Sequence, residues 1–186
     1  MIAYGAAELA NSFRTVRKNT VQVAEDIPED KYGFVAATGV RSAGDLLKHI
    51  VYAPMLYEDM HRHKRVTTLE GYDFAAAGRR SADEEKKPKS KAEIITALGT
   101  DGERIAKWLE SLDDAFLNET FSGAGGQITR TRFESLLSIK EHEMHHRGQL
   151  MVIERLVGIV PHLTRQREER IRQRQAAAAE AAAQRV

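Results

Sequence analysis

A chain of 186 residues with 28 basic and 27 acidic side chains has a formal net charge of +1, so no whole-molecule field draws it to nucleic acid or to an anionic membrane. Cysteine is absent, which excludes disulfides, thiolate ligands and cysteine nucleophiles, leaves any metal to nitrogen and oxygen donors, and fits a reducing cytoplasm. The first residues lack a basic region followed by an apolar run, and no apolar stretch approaches the ~18–20 residues of a membrane span, so a soluble, unexported chain of one domain plus an extension is expected.

Strand signals are scarce and helix starts recur. The first helix is expected from about Ala6 to Glu25, with Leu9, Phe13, Val16, Val21 and Val23 as its apolar set and a stop near Pro28. Three boxes of Ser or Thr followed three residues later by an acid then mark further starts. Ser42 to Asp45 opens a run to about Lys64, Ser90 to Glu93 one to about Leu112, and Thr131 to Glu134 the longest, to about Val157. Four amphipathic segments of this length, joined by loops long enough to cross over, predict an all-α four-helix bundle. Lys64 to Lys89, with its charged cluster at Asp83 to Lys87, reads as a surface excursion, and the glycine-rich Asp113 to Arg130 as a loop. Beyond Pro161 the composition turns to Arg, Gln, Glu and Ala, so Thr164 to Val186 is expected to be a solvated peripheral helix whose arginine excess offers a second reading as a partner contact.

The third box leads into His142-Glu-Met-His-His-Arg-Gly-Gln149. Residues at i and i+4 share a helix face with Cβ atoms about 5–6 Å apart, so His142 and His146 form a clamp that can turn both rings toward one ion. His49 lies on the apolar stripe of the second helix with Leu46, Ala53, Leu56 and Met60. Taken alone it reads as a core histidine satisfied by a neighbour; together with the pair it becomes the third ligand, because three converging imidazoles repel when protonated and are poorly satisfied when neutral. Pro54, one turn on, predicts a kink that helps to aim His49. His145 lies off the clamp axis as a supporting or outward residue, and His61, His63 and His162 are expected to be exposed.

These stretches resemble the DinB-like family, also called DinB/YfiT-like metalloenzymes, which is distinct from the similarly named DNA polymerase. The likeness rests on Gly39 to His49, similar to the family's approach to a ligand histidine, and on Glu141 to Leu150, similar to its signature on the last bundle helix. It implies an up-down-down-up bundle over residues 1–163 with 164–186 as a C-terminal helical extension, a divalent metal on His49, His142 and His146, and a homodimer. It also implies that Gly148 permits close helix approach and that Arg147 and Gln149 complete the signature.

Three neutral ligands leave a dication uncompensated and a position open, so the site favours an anionic ligand such as hydroxide or thiolate. The resemblance points to a small-molecule enzyme, with transfer dependent on a low-molecular-weight thiol as the leading chemistry. Zinc or nickel is the expected ion, with iron and cobalt compatible with imidazole. Two other readings stay open. His142 to His146 matches H-E-x-x-H, in which Glu143 would be the general base of a zinc hydrolase with Glu168 and Glu169 downstream, although no credible strand is present to hold a peptide. A non-catalytic metal-binding or stress-related interaction protein is the other. The apolar run Leu150 to Val157 fits either a dimer face or a helix central to its own bundle.

Overall fold

The computed structural model describes residues 4–123, 125–126 and 129–183. Helix α1 spans Ala6–Asp26, opened by the Gly5 N–H donating to Glu8 Oε2 at 3.0 Å and closed where Ile27 turns extended ahead of Pro28. Its C-terminal carbonyls are capped from outside: Lys91 Nζ donates to the carbonyls of Glu25 and Ile27, each at 2.7 Å, where a cation also meets the negative end of the helix dipole. The three predicted boxes work as caps. Ser42 accepts from the Asp45 N–H to start α2 (Ala43–Tyr52), Ser90 from that of Glu93 to start α5 (Lys91–Glu110), and Thr131 from that of Glu134 to start α7 (Arg132–Leu156).

The second predicted helix is broken where Pro54 removes a donor. After α2 come a single turn, α3 (Met55–Tyr57), and a wider π-helical turn over Glu58–His63. The expected surface excursion between Lys64 and Lys89 instead contains α4 (Phe74–Lys86), whose N-cap Asp73 accepts from the Ala76 N–H. Buried Asp59 fastens this segment, accepting from Tyr72 Oη at 2.7 Å and Lys64 Nζ at 2.9 Å, with Arg80 as a third partner. Burial by itself would raise the Asp59 carboxyl; its three partners outweigh that and bring it to about 2. The expected loop Asp113 to Arg130 is also more structured than read: it holds a short helix, α6 (Asp114–Asn118), and an antiparallel hairpin pairing Thr120–Ser122 with Thr129–Thr131.

Helix α1 packs on α5 and α7, and α2 packs on the same two. Arg14 on α1 meets Glu103 and Glu110 on α5 while Lys91 reaches the other end of α1, so these two run antiparallel. Arg17 meets Glu143 and Arg147 meets the Val16 carbonyl, with Leu9 and Leu136 in one cluster and Val23 and Ile153 in another, so α1 and α7 run parallel. Contacts of α2 with α7 are antiparallel, His49 meeting His142 while Leu46 shares a cluster with Leu150 and Ile153. The bundle is therefore up-down-down-up, with consecutive helices diagonal across it at both crossovers.

The core forms two apolar clusters, one around Leu47, Ile50, Leu98 and Leu150 and one around Leu9, Phe13, Ile105 and Leu136. Buried Arg17 links the two levels through Glu143 and the Leu98 carbonyl, at 2.9 Å for the latter. Room for it comes from Gly102, where an added Cβ would stand 2.7 Å from Arg17 Cγ.

Helix α8 spans His162–Ala183, and apart from its first turns it is exposed, as its composition predicts. Its base is docked. His162, expected to be exposed, is 4% exposed; its Nε2–H donates to Asn19 Oδ1 at 3.2 Å, and Arg165 pairs with Asp26 at 2.7 Å. Beside this joint lies Glu154, fully buried, neither of its carboxylate oxygens having a hydrogen-bond partner among the described residues.

Burial, and then the nearby Asp26 charge, push Glu154 up to about 7, against smaller opposing effects of Arg165 and Arg155. A carboxyl raised above its unfolded value stabilises the fold fully below the unfolded pKa, and that contribution is lost as pH rises through the folded pKa. Buried His162, lowered by desolvation, acts in the opposite sense, its contribution being lost on acidification. Thermal melts of wild type and Glu154→Gln between pH 5 and 9 isolate the carboxyl: the wild type is expected to lose stability relative to the variant across neutrality. A constant difference would show that Glu154 does not titrate there.

Candidate metal centre

The N-cap at Ser42 and the break at Pro54 fix α2 so that His49 faces α7, where the i,i+4 spacing aligns His142 and His146. His49 Nε2 lies 3.3 Å from His142 Nε2, which lies 3.1 Å from His146 Nε2, and the ligand atoms of all three are within 4.8 Å of one another. The sequence-predicted trio is therefore brought together.

The outer nitrogens decide what these contacts are. His49 Nδ1–H donates to Glu85 Oε1 at 2.8 Å and His146 Nδ1–H to Gln149 Oε1 at 2.9 Å, because a carboxylate and an amide oxygen only accept. With Nδ1 carrying the ring proton in both, His49 and His146 present bare Nε2 lone pairs to the centre, and at most one proton, from His142, is available between them. A hydrogen-bonded cluster satisfies one such contact and leaves the other repulsive; a cation satisfies all three. Nitrogens about 2.0–2.1 Å from a tetrahedral ion stand roughly 3.3–3.4 Å apart, close to the two separations observed. The donor set thus fits a divalent ion of the imidazole-binding kind. Burial, reinforced by the His146 and His49 rings, lowers His142 to about 4, and burial also lowers His146, so both are neutral and able to ligate at pH 7.

Glu85 was not anticipated as a site residue. It lies on α4, inside the charged cluster read as loop, and it accepts from Ser81 Oγ at 3.2 Å as well as from His49; the cue available was Asp73 as a cap ahead of an alanine-rich stretch. A carboxylate behind a ligand imidazole fixes its tautomer and orientation and raises its basicity. As a positioning residue, Glu85 is expected to tune metal affinity: Glu85→Ala should weaken zinc binding about 10–100-fold, with Glu85→Gln recovering part of the loss and helix content unchanged. Equal affinity in all three proteins by competition with a chelating dye would deny it that role.

Glu143 points elsewhere. It is 2% exposed and both its oxygens accept from Arg17 Nε, at 2.9 and 3.0 Å, so it serves the α1 side of α7 and is not placed as a general base beside the histidines. His145 is exposed, its Nε2 accepting from the Gln149 amide at 3.1 Å. His61, expected to be exposed, is fully buried; Arg132 donates to its Nδ1 at 3.1 Å, leaving Nε2–H to donate to Ser135 Oγ at 2.9 Å. That tautomer cannot take a proton from Ser135, so the pair is structural. Among the described residues no helix approaches Gly148 closely, an added Cβ there meeting nothing within 4 Å.

A cleft of about 410 Å³ opens beside His146, with Gln149 and Arg41 as its other polar lining and Leu46, Val152 and Ile153 among its apolar walls. No helix among the described residues is long and apolar enough to cross a membrane.

Comparison with known proteins identifies the family and the fold. The DinB superfamily pattern matches residues 12–150. The uncharacterized protein YjoA of Bacillus subtilis (strain 168) is 24% identical over 152 residues, 81% of this chain and 90% of YjoA. Its crystal structure, described as that of a DinB-like protein, superposes with a TM-score of 0.60 over 81% of this chain and 92% of that one. YfiT from Bacillus subtilis, described as a probable metal-dependent hydrolase with an unusual four-helix bundle topology, is 15% identical and gives a TM-score of 0.59 over 86% and 91% of the two chains.

Proposed function

The chain belongs to the DinB superfamily, and on that premise we propose that it is a divalent-metal-dependent enzyme acting on a small molecule, with His49, His142 and His146 holding the ion. The observation that carries this reading is the convergence of bare Nε2 atoms backed by Glu85 and Gln149. When bound, zinc or nickel, or alternatively iron or cobalt, would supply Lewis acidity and stabilise an anion such as a thiolate or hydroxide. The chain's own part is to orient the three imidazoles, keep His142 and His146 neutral by burial, and offer a cleft at the side of His146. That cleft favours an enzyme over a purely structural metal protein.

Thiol-dependent transfer is the leading chemistry, supported by the family resemblance and by the site's preference for an anion; metal-dependent hydrolysis is the second reading, supported by the description of YfiT. A cytoplasmic protein with residues 164–186 as an appendage completes the proposal. Elemental analysis of protein purified without a metal column, followed by assays of low-molecular-weight thiols against electrophiles and of ester and amide hydrolysis, tests it. Near-stoichiometric metal with thiol turnover supports the first chemistry. A chain that neither carries nor takes up metal removes both.

A homodimer is part of the same proposal. The outward face of α7 carries Met144, Val152 and Leu156, 44–58% exposed, around the open Gly148. A second copy packed antiparallel about a two-fold axis at Gly148 sets Met144 against Val152 and Glu141 against Arg155, because each pair is equidistant from position 148. Sedimentation should show a dimer that Glu141→Arg weakens and Glu141→Arg with Arg155→Glu restores. A monomeric wild type, or a dimer indifferent to both changes, would reject this face.

A further inference from the structure

Beyond the identity of the ion, the cleft itself limits what is bound. Its inner wall is formed by Leu46 and Ile153, each 4% exposed, and its rim by Val40 and Val152, 49% and 54% exposed. Its polar end carries His146, Gln149 and Arg41. Arg41 is placed there by a turn at Gly39, whose φ of +82° suits glycine, and by Ser42 immediately after it, which caps α2.

Four arginines of the bundle, Arg14, Arg17, Arg104 and Arg132, each donate to a carboxylate. Arg41 differs from them. Its side chain is 48% exposed, its nearest carboxylate oxygen is Glu85 Oε2 at 4.0 Å, and among the described residues it makes no side-chain hydrogen bond. Glu85 meanwhile spends its other oxygen on His49 and Ser81. An uncommitted guanidinium thus stands over an apolar cleft, one carboxylate away from the histidine centre.

We propose that this cleft binds a small organic acid with an apolar body, its anionic group held by the Arg41 guanidinium beside the histidines and its hydrocarbon part lying along Val40, Leu46, Val152 and Ile153. A guanidinium presents a planar fork of donors that matches a carboxylate, and the volume lies within the range of small-molecule sites. The proposal rests on the reading of the histidine centre as the place of chemistry, because a divalent ion there adds to the positive field of Arg41. The apolar wall and the guanidinium nevertheless belong to the chain with or without the ion.

Hexanoate, hexan-1-ol and hexylamine serve as probes, titrated calorimetrically into metal-free and zinc-loaded wild type, Arg41→Gln and Arg41→Lys. Hexanoate is expected to bind the wild type in preference to the alcohol and amine, with affinity about tenfold or more lower in Arg41→Gln and partly recovered in Arg41→Lys, at unchanged zinc stoichiometry. Hexan-1-ol binding as well as hexanoate, or hexanoate binding equally to wild type and Arg41→Gln, overturns the proposal. Zinc titration of the same samples separates the two failures. A wild type that takes up no zinc overturns the metal reading, and the metal-free hexanoate comparison still decides the role of Arg41.

Discussion

His142→Ala and His49→Ala are each expected to take bound divalent metal from near one ion per chain to below about a tenth under the same conditions, because on the proposed reading each removes one of three histidine ligands. The bundle should survive. His142 and His49 are only partly buried, alanine is the best helix former, and removing one imidazole relieves a cluster of facing lone pairs. Circular dichroism and metal analysis on the same preparations check both halves. Stoichiometric metal retained in either variant would mean that the ion, if one is bound, lies elsewhere. Loss of helix content along with the metal would make the histidines structural.

Arg17→Ala and Glu143→Ala carry the second large effect, of opposite character. The pair is 4% and 2% exposed, bonded at 2.9 Å, and removing one partner strands a charge in the bundle at a cost of about 3–5 kcal/mol. For a chain of this length that lowers Tm by on the order of 10 °C. Gly102→Ala should act in the same direction by pushing on the Arg17 stem. Metal content should be unaffected, since the Glu143 oxygens are turned to α1. Glu143→Gln is the discriminating variant. With Arg17 still buried and charged, it is expected to lose stability and keep metal; a variant of unchanged Tm that keeps its metal but loses a hydrolytic activity would restore Glu143 as a general base and return the H-E-x-x-H reading.

The two experiments separate what the motif conflates. In His142-Glu-Met-His-His146 the histidines and the glutamate sit on different sides of one helix. His142 and His146 turn toward α2, and Glu143 turns into the bundle toward α1. The spacing within the motif specifies which residues share a side of α7, but not which neighbouring helix that side meets.

Local chemistry was legible from the chain. Ser42, Ser90 and Thr131 cap helices because their hydroxyls and the N–H three residues on interact at short range, and His142 with His146 form a clamp because i and i+4 always adjoin. Pro54 broke its helix for an equally local reason. Helix α4 was missed because alanines and charges, with Phe74 its only large apolar side chain, leave little apolar surface to read; tertiary bonds from Asp59 to Tyr72, Lys64 and Arg80 hold it on the bundle. The hairpin beyond α6 was missed because strands of three residues leave almost no alternation to read.

By itself, then, the sequence determined where the bundle helices start, that two imidazoles share a face, and that a third on another helix had reason to join them. The tertiary structure alone decided that His49 is backed by Glu85, that Glu143 belongs to Arg17, and that His61 and His162 are buried. The reason is range. Caps and helix-face pairs are set by neighbours three or four residues away, whereas the partner of a buried polar group is set by how helices pack, here across 36 residues for His49 and Glu85 and 126 for Arg17 and Glu143.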